Sequence, residues 1–124
     1  MVESVAVEGI PGGRVQPVAG VEHVEAGIVV HLAGELDLYN AHEVRETLLA
    51  AVAENPHRLV VDLSDVEFVD STALGVLVEA RSPMTDRRSF VLASPVAETM
   101  RALEVSGLDK HFQIGTTVEE ALAS

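Results

Sequence analysis

The chain has no cysteine, which removes disulfides and thiolate chemistry and fits a reducing compartment. A cytoplasmic protein is expected. Aromatic residues make up only 3%, so there are few flat surfaces on which bases or sugars stack. Cations are scarce as well: 8 Lys plus Arg stand against 20 Asp plus Glu, a net charge of −12. A surface of that sign repels phosphate backbones and anionic lipid, which argues against nucleic-acid and membrane partners and for a basic protein surface. No apolar run reaches the roughly 18 residues of a membrane span, and no basic segment followed by an apolar one opens the chain. What is present, 124 residues with 48% hydrophobic content, suits one domain with a core of Val, Leu and Ala.

Residues 1–17 carry Pro11, Gly12, Gly13 and Pro17 without a sustained period, and a flexible or loosely attached arm is expected, with the domain proper at 18–124. Two short strands follow over 18–24 and 27–32, joined as a hairpin at Glu25-Ala26-Gly27. His23 and His31 lie on them and read as ordinary strand histidines, because no further ligand stands at metal-binding spacing. Gly34-Glu35-Leu36-Asp37 reads as a turn closing the second strand. Asn40 with Glu43 has the spacing of a reciprocal N-cap, and Val44, Leu48, Ala51 and Val52 then recur at helical spacing up to Asn55-Pro56.

Residues 59–63 form a short β-branched run expected as a buried strand. A polar turn and a helix from Asp70-Ser71 to Ser82-Pro83 are expected after it. Strand, helix, strand implies a parallel pair with a right-handed crossover. Residues 89–93 read as another strand. Ser94 reads as an N-cap with Pro95 at the first helical position, and Val96, Met100 and Leu103 are expected to face inward. Gly107 marks a left-handed helix end, 108–114 a tight turn into a short edge strand, and Thr117 with Glu120 a capping box before a helix over 118–123. The fold class is α/β, with a mixed sheet of four to five strands, an initial hairpin and about four helices mainly on one face.

The strand-to-helix junction at Asp70-Ser71 stands out. A strand feeding into a helix leaves the first helical N–H groups unpaired, with the positive end of the helix dipole behind them, and such a place favours an anion. Ala73, Leu74, Leu77 and Val78 gather on one side of that helix, and Ser71, Thr72, Gly75, Glu79 and Ser82 on the other, which should face solvent. Gly75 costs about 1 kcal/mol relative to Ala inside a helix. It reads equally well as room for a group approaching Ser71 or as tight packing on a neighbour. Spacing alone favours plain N-capping for Asp70-Ser71. A nucleophilic serine lacks the flanking glycines of a nucleophile elbow and an identifiable histidine base. Asp37 and Asp70 lack the further ligands of a metal site.

Taken in order, Gly34-Glu35-Leu36-Asp37, then Val61-Asp62-Leu63 with Phe68-Val69-Asp70-Ser71-Thr72-Ala73-Leu74-Gly75, then Gly107-Leu108 with Phe112 and Ile114, resemble the STAS domain family, specifically its stand-alone bacterial anti-sigma factor antagonists. The resemblance covers about residues 18–123. It implies that Ser71, less readily Thr72, is phosphorylated by an anti-sigma factor that is an ATP-dependent serine kinase. Unphosphorylated protein would bind that kinase and release its sigma factor, phosphorylated protein would let go, and a PP2C-type phosphatase would reset it. The expected contact surface is Gly34, Glu35, Asp37, Asn40, Asp70, Ser71, Thr72 and Gly75, with Asp70 orienting the Ser71 hydroxyl. No cofactor and no catalytic residue are expected on this chain.

Two positions depart from the family pattern. Ala73 stands where Gly is common, which stiffens the loop and bears on kinase recognition. Ser82-Pro83-Met84-Thr85-Asp86-Arg87-Arg88 stands where a Gly-rich link is usual. The alternatives are a STAS subunit of a transporter or stress-signalling assembly without a phosphoswitch and, more remotely, a serine hydrolase. The charge opposes self-association while the hairpin offers a pairing edge, so a monomer or weak dimer is expected.

Overall fold

The computed structural model describes residues 15–123; most of the expected arm, residues 1–14, lies outside that range. Five strands and four α-helices follow in the order β1 (Val18–Val24), β2 (Gly27–Leu36), α1 (Ala41–Ala53), β3 (Leu59–Val69), α2 (Ser71–Arg81), β4 (Phe90–Ala93), α3 (Ala97–Ser106), β5 (Gln113–Gly115) and α4 (Val118–Ala123). The strands form one sheet in chain order, β1-β2-β3-β4-β5. β1 and β2 are the antiparallel hairpin, and the β2–β3, β3–β4 and β4–β5 pairs are parallel.

The sheet has two covered faces. On one, Val30, Leu32, Leu59, Val61, Leu63, Phe90 and Leu92 pack with Val44 and Leu48 of α1, Leu74 and Leu77 of α2, and Leu103 of α3. On the other, Val29, Val60, Val91 and Ala93 pack with Ala121 of α4. Three helices therefore share a face and the short C-terminal helix takes the second. Alternation along each parallel strand supplies apolar side chains to both, as buried parallel sheets require.

Both central strands run further than their apolar segments. β2 continues through Gly34-Glu35-Leu36 instead of turning there, and residues 64–67 belong to β3 instead of a polar turn. The reason lies in the pairing: β4 bonds β3 only from Leu59 to Asp62, so beyond Asp62 the strand has β2 as its one partner, through Ala33↔Asp65, Gly34↔Val66, Glu35↔Phe68 and Leu36↔Val69. A half-covered ribbon tolerates the polar residues that a central strand does not. Two register shifts interrupt it, one beside Ala33 and one between Gly34 and Glu35, and Gly34 takes φ +79° there, a conformation in which other L residues are strained.

The helix expected from Ser94-Pro95 starts later. Ser94 adopts φ +56°, its N–H donates to Gly115 O at 2.9 Å and its hydroxyl to Thr116 O at 3.0 Å. Spent on the backbone of residues 115 and 116, it caps nothing, and Val96, 37% exposed instead of facing inward, takes the N-cap position of α3. Val18–Val24, α2 and α4 lie where the sequence places them, and Gly107 closes α3 at φ +80°.

Candidate functional site

At the carboxyl end of the sheet the β2–α1 loop and the β3–α2 junction lie side by side, and Asp70 joins them. It is the N-cap of α2 in extended conformation. Its Oδ1 accepts from Ala73 N–H at 3.0 Å and its Oδ2 from Leu38 N–H at 3.0 Å, while its own N–H donates to Leu36 O. The carboxylate is thus spent on two backbones, and it positions the loop around Ser71 rather than orienting the Ser71 hydroxyl.

Ser71 is the first residue of α2 and is exposed, as are Thr72 and Gly75. The N–H of Ala73 goes to Asp70 Oδ1 and that of Leu74 to Asp70 O. Those of Ser71 and Thr72 are claimed by no hydrogen bond among the described residues, which leaves two donors and the helix dipole facing outward. A Cβ on Gly75 would meet nothing within 4 Å. Packing therefore gives no reason for this glycine, and the space one turn beyond Ser71 is open to an approaching group.

Asn40 precedes α1 but makes no side-chain cap. Its Oδ1 accepts from Asp37 N–H at 2.9 Å and its Nδ2 donates to Glu35 O at 2.8 Å, so it braces the loop behind it instead of the helix ahead. Asp37 Oδ1 accepts from Tyr39 N–H at 3.0 Å. Glu35 is exposed, and Asp37, Asn40 and Asp70 are half-buried. Gly34, expected on the contact surface, is buried. A Cβ there would stand 3.1 Å from Val15 Cβ, so Gly34 shapes the strand end and presents no surface. Ala73 is 4% exposed; its methyl faces the core, away from anything that docks on Ser71.

Three residues that spacing did not single out belong here. Leu38, Tyr39 and Phe68 are 66%, 85% and 49% exposed. Leu38 is hydrogen-bonded to Asp70, Tyr39 follows it, and Phe68 sits opposite Glu35 in the ribbon. In a chain with three Phe and one Tyr, two of the four rings are exposed at this end. The signal was available in the placement of Leu38-Tyr39 between two loop-forming polar residues, where a core has no use for them.

No metal-binding cluster of three or more His, Cys, Asp or Glu occurs among the described residues. A histidine held by two carboxylates lies elsewhere, on the sheet. His31 Nδ1 meets Asp62 Oδ2 at 2.6 Å and Nε2 meets Glu22 Oε1 at 3.0 Å, so both ring nitrogens are taken by carboxylates and neither serves a serine. The Glu22 hydrogen bond raises the His31 pKa most; burial, next in size, lowers it, and the hydrogen bond to Asp62 with the charges of Asp62 and Glu22 completes a net rise. Burial pushes Asp62 upward, but the Ser64 backbone N–H and His31 together hold it below the usual carboxylate range.

The comparisons with known proteins agree with this geometry. The family model of the STAS domain matches residues 18–121. The chain is 35% identical over 94 residues to the anti-sigma-F factor antagonist RsfB of Mycobacterium tuberculosis, covering 76% of this chain and 77% of that protein. It is 33% identical to the anti-sigma-B factor antagonist of Listeria monocytogenes, covering 70% and 77%. Its fold superposes on the crystal structure of an anti-sigma factor antagonist from Mycobacterium paratuberculosis with a TM-score of 0.78, at 33% identity and coverage of 84% and 89%. With the family match running from the first strand into the last described helix, and the fold superposing over most of both chains, the chain belongs to the STAS domain family.

Proposed function

We propose that the chain is an anti-sigma factor antagonist switched by phosphorylation at Ser71. Its unphosphorylated form binds an anti-sigma factor serine kinase in the cytoplasm and releases the sigma factor, phosphorylation ends the complex, and a PP2C-type phosphatase restores it. In this role the chain is phosphoacceptor and binding partner rather than enzyme. Antagonism of an anti-sigma factor is what the names of its relatives state of them; the kinase, the phosphatase and the switch at Ser71 are the reading's own extension. The observation that carries it is Ser71, exposed at the first position of α2 beside two unclaimed backbone N–H groups.

A phosphate on Ser71 adds about −1.5 to −2 charges. In the free protein the helix N-terminus stabilises it by up to about 2 kcal/mol. Pressed into an interface beside Asp37, Asp70 and the partner's carboxylates, the same dianion costs several kcal/mol, and about 4 kcal/mol is a thousandfold in affinity. Binding energy and switch are separable: Leu38, Tyr39 and Phe68 supply apolar anchors of the kind that dominate interfaces, and Ser71 decides whether they can engage. Glu35, Asp37, Asn40, Asp70, Thr72 and Gly75 complete the surface.

The test is the affinity of the purified chain for a cognate anti-sigma kinase with ADP. Unmodified protein and Ser71→Ala are expected to bind alike, and the Ser71-phosphorylated form at least about tenfold more weakly, which is 1.4 kcal/mol. Equal affinity of all three forms overturns the reading.

A further inference from the structure

The pole opposite Ser71 gathers much of the chain's scarce positive charge. Parallel strands begin there, and of the eight Lys and Arg residues, Arg58 stands just before β3, Arg87 and Arg88 just before β4, and Lys110 before β5. Arg81, ending α2, returns to the same pole and donates from Nη1 to His111 O. Arg87 and Arg88 belong to the segment that departs from the family's usual glycine-rich link.

These cations are poorly compensated. Among the described residues no carboxylate stands within ion-pair distance of Arg58, Arg81 or Arg87; Arg88 has Asp86, at 3.4 Å from its Nε, and the same carboxylate feels the charge of Arg58. The Nε atoms of Arg58 and Arg81 are buried without a hydrogen-bond partner, a costly state for a charged donor. Arg81 stacks over the Phe112 ring at 4.6 Å, and burial followed by the neighbouring Arg87 lowers its pKa. Beside Arg58 and Arg88 lies a cavity of about 290 Å³ lined by Arg58, Asp86, Arg88, Ser89 and Gln113.

We propose that this cavity binds a small phosphate-bearing anion. Two guanidinium groups give the planar forks that suit phosphate oxygens, and the Ser89 hydroxyl and Gln113 amide add neutral donors. Asp86, whose Oδ1 accepts the Arg88 N–H at 3.0 Å, holds the 87–89 turn in shape and keeps the site from being a bare cluster of positive charge. The volume lies at the small end of ligand pockets, which span about 300–1,000 Å³, so a mono- or diphosphate group fits better than an extended chain. The overall charge of −12 turns phosphate-rich surfaces away while leaving a recessed cavity accessible to a small ion. The site lies the length of β3 from Ser71, about 35 Å for eleven residues, and stands independently of the kinase reading.

The test titrates the full chain with sodium pyrophosphate, with sodium chloride of equal ionic strength as reference, and follows backbone amide NMR shifts. Saturable shifts at Arg58, Arg88, Ser89 and Gln113 are expected, with a Kd below about 1 mM. Arg58→Gln and Arg88→Gln should each weaken binding about tenfold, and Asp86→Asn, which keeps the turn's acceptor and removes the opposing charge, should tighten it about threefold. Arg88 is exposed, so its replacement leaves folding intact and keeps the test decisive. Shifts no different from those in chloride, or an affinity unchanged by Arg88→Gln, overturn the proposal.

Discussion

Asp70 does with one carboxylate what two separate caps would otherwise do, holding the start of α2 through Ala73 and the β2–α1 loop through Leu38. Asp70→Ala therefore removes an N-cap and a loop tie together, and urea unfolding should show a loss of about 1–2 kcal/mol. His31 makes a second residue-scale prediction. Its raised pKa means that its ion pair stabilises fully below the ordinary histidine pKa of about 6.5 and that this contribution fades as pH rises through the higher folded value. Asp62, lowered, contributes above its ordinary pKa near 4 and loses that contribution as pH falls through the lower folded value. The pair is thus worth most between about pH 4 and 6.5, and His31→Gln should cost about 1 kcal/mol at pH 5.5 and clearly less at pH 9 in matched melts. At this scale the sequence was readable where a residue acts on its own helix, as Asp70 and Gly107 do. It misled where a side chain reaches elsewhere: Asn40 braces Glu35 and Asp37 instead of α1, and Ser94 bonds to residues 115 and 116. Propensity carries no information about such distant partners.

Among the elements, α2 is the one whose sequence and environment disagree. An exposed helix interior with nothing within 4 Å of a Gly75 Cβ should hold alanine, and Gly75→Ala is expected to raise stability by about 0.5–1 kcal/mol. The same methyl would stand one turn beyond Ser71, where the partner docks, so affinity for the kinase should fall while the melting temperature rises. A rise in both would show that Gly75 leaves no room for anything. Helix positions were legible because α1 and α2 repeat apolar residues at helical spacing and carry clear stops at Asn55-Pro56 and Ser82-Pro83, and because Thr117 and Glu120 announce α4. The lengths of β2 and β3 were not, because their distal halves pair only with each other and so lack the apolar run by which a buried strand announces itself.

For the whole molecule, an excess of carboxylates sets how partners arrive, even though one pole is rich in arginine. Association with a basic face of the kinase should be steered by the net charge of −12, so raising salt from about 50 to 500 mM should slow the on-rate by about tenfold or more while dissociation changes little. Stopped-flow association kinetics would show it. Composition made this legible from the start; the clustering of Arg58, Arg81, Arg87 and Arg88, scattered along the chain, awaited the folded sheet.

The spatial order of the strands also sets a timetable. Each strand is laid beside the one synthesised before it, so a chain leaving the ribosome can extend its sheet in the order of translation without closing any long loop. The face carrying Val29, Val60 and Val91 is the exception, since its cover, Ala121 of α4, follows every strand in the chain. Until α4 has emerged, that face is the nascent chain's exposed apolar surface and the natural target of a chaperone.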